Sequence, residues 1–174
     1  MPEEPGTQPP RIVDLVGEDR ERAVPVLRDS FVGIYRWHAK RTLFRISTVR
    51  AVVRGDRVVA VSMLERLAPE VSYVYYVAVA RADRGRGLAT VLVDDALARF
   101  RADGTQVVYA AVGEENAPSL ALFRARGFRQ VERKEPGYRE GGLGAWGLRS
   151  RMMLVHGEIL LGLRIGGSAP TRHS

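Results

Sequence analysis

The passage VAVARADRGRGLATVLVDDAL, residues 77–97, constrains the fold of this chain more than any other stretch. An apolar run ends at Val79, a charged turn follows, and two glycines stand where an amphipathic helix begins. Helix N-termini leave backbone N–H groups unpaired and carry partial positive charge, so a turn of this kind suits an anion such as phosphate. Gly85 and Gly87 let the backbone curl close to the anion with no Cβ in the way. Arg84 and Arg86 can add charge-assisted bonds. The plain alternative is an ordinary glycine-containing turn with exposed arginines, because short glycine motifs recur by chance. A dinucleotide fingerprint fails on detail. Thr90 occupies the sixth position of GxGxxG, and no first strand of a parallel βαβ array precedes it. The lysine of a P-loop is missing too.

Around this junction the chain reads as a succession of short elements. Residues 1–10 are proline-rich and polar and are expected to be a disordered tail. Arg11 to Val16 alternates like a strand. Asp19 to Phe44 reads as one broken or two consecutive helices, with Pro25 in the first turns and Gly33 as the break. A valine-rich hairpin follows: Ser47 to Arg54, a Gly55-Asp56 turn, then Arg57 to Arg66. Val71 to Val79 is nearly continuous in apolar and aromatic residues, which predicts a strand buried on both faces at the centre of a sheet. Gly87 to Ala102 is predicted helical, with Leu88, Val91, Leu92, Ala96 and Phe100 on its buried side.

Thr105 to Val112 is a further strand, and Asn116 to Arg126 a helix that Gly127 ends. Phe128 to Arg133 and Arg151 to Val155 are the last clear strands, and His156 to Ile165 is ambiguous, an added strand at most. The order β-α-α-β-β-β-α-β-α-β-β is that of an α+β protein, a mixed sheet with helices on its faces. The expected layout is one domain over 11–165 and a loose tail over 166–174.

Composition narrows the function classes. No apolar run approaches the roughly 20 residues that a membrane-spanning helix needs, and the N-terminus lacks the pattern of a secretory signal. The absence of cysteine excludes disulfides, thiolate metal sites and a cysteine nucleophile, and it fits a reducing cytoplasm. Three dispersed histidines offer no metal-ligand spacing. The net charge of +7 arises from 25 arginines and only two lysines. Such a balance favours polyanionic partners, nucleic acid and phosphorylated cofactors alike. The arginines are interspersed with carboxylates and form no block of five like charges, which argues against a nucleic-acid arm.

Two segments together carry a family resemblance. Arg84-Gly85-Arg86-Gly87-Leu88-Ala89 resembles the acetyl-CoA pyrophosphate loop of the GNAT superfamily of N-acetyltransferases. Asn116 to Phe128 (NAPSLALFRARGF) is similar to that family's N-x-x-[SA]-x-x-L-[YF]-x-x-x-G-F pattern. The two stand about thirty residues apart in the family's order, which makes them far more specific as a pair than either alone. The resemblance covers roughly residues 11–155. It implies that Val77, Ala78 and Val79 form a splayed strand end whose backbone pairs with the pantetheine arm, the Val79 N–H polarising the thioester carbonyl. It implies that Arg84, Gly85, Arg86, Gly87, Leu88, Ala89 and Thr90 surround the pyrophosphate. Asn116 and Ser119 would face the pantetheine, and Phe123 would lie near the sulfur. Many members carry a tyrosine at the position of Phe123 to protonate the leaving thiolate, and phenylalanine cannot.

The chemistry implied is direct attack of a neutral amine on the acetyl carbonyl of acetyl-CoA, with no covalent enzyme intermediate. Candidate bases are Glu65, at the end of the second hairpin strand, and Glu114 or Glu115, just past the strand ending near Val112. Each also reads as a solvated strand-end carboxylate. Tyr35, Trp37 and His38 in the helical region, Tyr75 on its strand, and Tyr138 and Trp146 in the late glycine-rich loop are candidates for the acceptor pocket. Tyr73, Tyr75 and Tyr76 read equally well as sheet packing. A homodimer is suggested only by the apolar stretch 156–165. The alternatives are a catalytically silent CoA-binding module, which Phe123 keeps open, and an arginine-rich nucleic-acid binder.

Overall fold

A computed structural model describes residues 10–131 and 157–166. Its elements are β1 (Arg11–Asp14), α1 (Val24–Ser30), α2 (Gly33–Leu43), β2 (Thr48–Arg54), β3 (Arg57–Ala68), β4 (Val71–Val79), α3 (Leu88–Ala102), β5 (Val107–Gly113), α4 (Ala117–Arg124), β6 (Arg129–Gln130) and β7 (Glu158–Arg164). Short 3-10 turns lie at Gly17–Ala23 and Arg81–Asp83. The seven strands follow the sheet order β1-β2-β3-β4-β5-β7-β6, with β4 in the middle. The α+β class is that expected, and the described elements from β1 to β6 follow the expected order. The terminal strand is 158–164, within the stretch whose assignment was open, and the strand expected over Arg151 to Val155 falls outside the described residues.

The chain divides into two compact units. One holds residues up to Glu65 together with Val74–Ala96, and the other holds Arg66–Tyr73 and the residues from Leu97 onward. In the first unit, Pro25 stands in the opening turn of α1, where its missing N–H costs nothing. Gly33 opens α2 at φ +54°, a left-handed value that suits glycine, and so separates the two helices. The hairpin β2–β3 is antiparallel, with Arg54 facing Arg57 at the turn and a register shift at Val52/Val53.

Two apolar clusters flank this part of the sheet. Val26 and Leu27 of α1 and Ala39 and Leu43 of α2 pack with Val49, Ala51, Val61, Met63 and Ala78. Leu88 and Leu92 of α3 pack with Val52, Val59, Ala60, Val77 and Val79. Arginines contribute directly to this framework. Arg20 donates to the carbonyls of Leu15, Leu43, Ile46 and Ser47, gathering the end of α2 and its following loop. Arg50 of β2 makes a two-pronged bond to Asp95 of α3, both at 2.8 Å, and also meets Asp14 at 3.1 Å.

In the second unit β5 pairs antiparallel with β7, and β7 pairs in turn with β6. A Cβ on Gly162 of β7 would meet Val131 Cγ2 at 2.9 Å and the Tyr109 ring at 3.1 Å, so a side chain there would force those neighbours to shift. The buried hydroxyls of Ser72 and Thr105 satisfy one another at 2.7 Å. β7 thus has partners on both edges within the chain, while most of its residues stay half-buried.

Candidate functional site

The end of β4 is pinned to its surroundings by its backbone. Ala80 N–H donates to Val59 O at 2.9 Å, and the Val79 carbonyl accepts from Ser30 Oγ at 3.2 Å. Strand alternation places Ala78 and Ala80 in the α1–α2 cluster and Val77 and Val79 in the α3 cluster. Beyond β4 the chain makes one 3-10 turn, passes through Gly85 at φ +73° and Gly87 at φ +75°, and enters α3. The first helical bond runs from Val91 N–H to Gly87 O at 3.0 Å. The N–H groups of Leu88, Ala89 and Thr90 therefore have no acceptor within the helix.

A Cβ built on Gly85 or Gly87 would meet nothing within 4 Å. Both positions demand glycine through their left-handed backbone, and the space beside them is open. An exposed main-chain turn with open flanks at a helix N-terminus fits a phosphate group. Leu88 is buried in the core, so its backbone is what it can offer a ligand. Ala89 and Thr90 are half-buried in the first turn of α3.

The two arginines of the turn differ. Arg84 is exposed and gives Nε–H to Val79 O at 3.2 Å and an Nη2 hydrogen to Asp29 O at 3.1 Å. These two donors serve backbone carbonyls of β4 and α1. Arg86 remains 55% exposed, with its Nη1 3.7 Å from Asp83.

Asp83, which sequence reasoning did not single out, is the anchor of the turn. It is 1% exposed and accepts from Arg54 and Arg57, both at 2.9 Å. An acid set among arginines in ARADRGR was the available signal. Its partners lie on a hairpin whose turn is nearly thirty residues upstream.

Of the other candidates in the first unit, Glu65 is half-buried and its Oε2 accepts from Ser47 N–H at 3.2 Å. Tyr35 and Trp37 stand exposed on α2. The Trp37 ring lies 4.9 Å from that of His38 and carries the Arg41 guanidinium 5.4 Å over its face. Tyr75 is half-buried and packs against the α1–α2 cluster, as does Tyr76, whose ring meets Phe31 edge-on at 5.2 Å.

In the second unit Glu114 and Glu115 are exposed, and Glu114 N–H is bound to Gly157 O. Asn116 caps α4 by accepting Ser119 N–H at 3.2 Å. Phe123 is 5% exposed and packs edge-on against Phe128 at 5.0 Å, the position of a core aromatic. Tyr138 and Trp146 lie outside the described residues. Among the described residues no three acids or histidines gather to hold a metal, and no helix is long and apolar enough to cross a membrane.

Comparison with known proteins agrees with this arrangement. The model of the Acetyltransferase (GNAT) family matches residues 12–128. Mycothiol acetyltransferase of Corynebacterium glutamicum is 31% identical over 93 residues, which are 53% of this chain and 32% of that protein. L-2,4-diaminobutyric acid acetyltransferase of Nocardia farcinica is 32% identical over 80 residues, 45% of this chain and 42% of that protein. The match thus spans less than half the length of either relative. The crystal structure of a Bacillus subtilis acetyltransferase in complex with CoA superposes with a TM-score of 0.66 at 18% identity, covering 90% of this chain and 99% of that one.

Proposed function

The chain belongs to the acetyltransferase (GNAT) family, and from that premise we propose that it transfers the acetyl group of acetyl-CoA to a primary amine by direct attack. The observation that carries this reading is the turn itself: two left-handed glycines with open space beside them, at the N-terminus of a fifteen-residue helix and behind a pinned strand end. In this reading the backbone around Gly85 to Thr90 holds the pyrophosphate, with Arg86 adding charge. The edge of Val77, Ala78 and Val79 pairs with the pantetheine, and the Val79 N–H donates to the thioester oxygen as negative charge develops there. Asn116, Ser119 and Phe123 are assigned to the pantetheine as well.

The amine nitrogen forms the new C–N bond, the C–S bond breaks, and the coenzyme leaves as thiolate. The ammonium proton passes to a carboxylate, with Glu65 and Glu114 as candidates, directly or through water. Free thiols have a pKa of about 8.5, so the thiolate departs tolerably near neutrality and takes its proton from water. Positioning supplies most of the rate. Tyr35, Trp37, Tyr75 and Tyr138 are assigned to the acceptor side. The cysteine-free chain suits the cytoplasm.

Acetyl-CoA turnover against a panel of small-molecule and peptide amines tests the proposal. Tight CoA binding with no turnover on any amine would replace it with the second reading, a silent CoA-binding module. The burial of Phe123 where a tyrosine acid is common favours that second reading.

A further inference from the structure

Three arginines converge on the one buried carboxylate behind the glycine turn. Asp83 Oδ1 accepts from Arg54 Nη1 and Oδ2 from Arg57 Nη2, each at 2.9 Å, and Arg86 Nη1 stands 3.7 Å from Oδ1. One guanidinium suffices to neutralise a buried carboxylate, so the cluster carries a local excess of two positive charges. Arg57 and Arg86 are 59% and 55% exposed, so both guanidinium groups reach solvent. Arg54 and Arg57 face each other in the closing pair of the β2–β3 hairpin, which puts their side chains on one side of the sheet. Asp29 and Asp56 line the hollow beside Arg57, and Arg22 lines it with them. Arg84 is turned away onto Val79 and Asp29.

We infer that Arg57 and Arg86, held on Asp83 beside Arg54, form a phosphomonoester site, and that its occupant is the ribose 3′-phosphate of acyl-CoA. The inference rests on the acyl-CoA reading above. A phosphomonoester carries about −1.5 to −2 charges at neutral pH and offers three oxygens to planar guanidinium forks. The pyrophosphate makes a different demand, met by backbone N–H groups at the helix end. In the coenzyme one ribose separates the two phosphate groups. In the protein Arg86 lies between the two glycines of the turn. Asp83 is then a positioning residue that fixes the guanidinium groups and does not itself touch the ligand.

Calorimetric titration of CoA and of 3′-dephospho-CoA tests this without any substitution. The wild-type protein is expected to bind dephospho-CoA about tenfold more weakly, the scale of a partly exposed charge-assisted contact. Raising the salt concentration should narrow the gap, because the site is open to solvent. Arg57→Gln should narrow it to about threefold or less by weakening CoA alone, and Arg86→Gln should narrow it while weakening both ligands, because Arg86 also serves the pyrophosphate. Equal wild-type affinity for the two ligands overturns the inference and leaves the acyl-CoA reading intact. A gap untouched by both substitutions also overturns it. Failure of both ligands to bind removes the acyl-CoA reading itself, and the inference with it.

Discussion

Arg84 donates its Nε–H to the carbonyl oxygen of Val79, five residues earlier, across the turn that the two glycines make. The same oxygen accepts from Ser30 at the end of α1, and Arg84 reaches Asp29 beside it. The motif arginine thus ties the end of β4 to α1. If it acts by holding the strand end whose N–H is to donate to the thioester oxygen, its loss should fall on the chemical step. Arg84→Gln is expected to lower kcat about tenfold while the KM for acetyl-CoA changes by less than about threefold. Steady-state kinetics checks this, and a large KM rise with kcat preserved would return Arg84 to the phosphates.

The glycines of the turn can be separated into a backbone part and a ligand part. Gly87 and Gly104 have nearly the same left-handed φ, +75° and +78°, and a Cβ meets nothing at either. Gly104 ends α3, outside the candidate site. Alanine at either position should cost about 1 kcal/mol of stability through backbone strain alone. Gly87→Glu should abolish CoA binding by bulk and charge while the protein still melts cooperatively, whereas Gly104→Ala should leave CoA affinity unchanged. Calorimetry and thermal denaturation read the two effects apart.

This contrast also shows what was legible in the sequence. Local chemistry announces itself: Gly33 parts two helices, Asn116 caps one, and Val71–Val79 is so uniformly apolar that its extent and central place follow from composition. The glycine turn belongs to the same class, since backbone conformation is encoded residue by residue. Side-chain destinations are not. Asp83 is buried only because Arg54 and Arg57 arrive from a hairpin 29 and 26 residues away, and Arg84 finds its carbonyl on Asp29 of α1, 55 residues away. β7 stayed ambiguous for the same reason, because its pairing with β5 is non-local. Composition likewise gave no sign that Arg20, Arg50 and Arg54 would bind part-buried acceptors within the protein.

Arg50 offers a test of that framework. Its guanidinium is held above its ordinary pKa, first by the hydrogen bond to Asp95 and further by the charges of Asp95 and Asp14, against the lowering effect of burial. A folded value above the unfolded one gives stability that is complete at lower pH and lost only as pH rises through the folded value. For arginine that window is strongly alkaline, so this group should add no slope to the stability curve between about pH 6 and 10. Asp95→Asn should lower stability by about 1–2 kcal/mol at any pH in that range, as expected for a partly exposed two-pronged pair. Denaturant titration at several pH values reads both the size and the flatness. A loss that grew steeply across the range would assign the stabilisation to another group.

Phe123 decides whether the chain lacks an acid or places one elsewhere. Its ring is 5% exposed and stacked edge-on against Phe128 inside its own unit. A hydroxyl added at its para position enters an apolar surrounding, where an unpartnered polar group costs about 1–3 kcal/mol. Phe123→Tyr is therefore expected to lower the melting temperature and leave kcat with acetyl-CoA unchanged. The pH profile of kcat should also keep its shape, since no new titrating group reaches the thiolate. A rise in kcat, or a new alkaline limb near the usual tyrosine range, would mean that the para carbon faces the leaving sulfur. In that event the missing hydroxyl is a true loss of the acid. If stability alone changes, protonation of the thiolate belongs to water, and Phe123 is a packing residue.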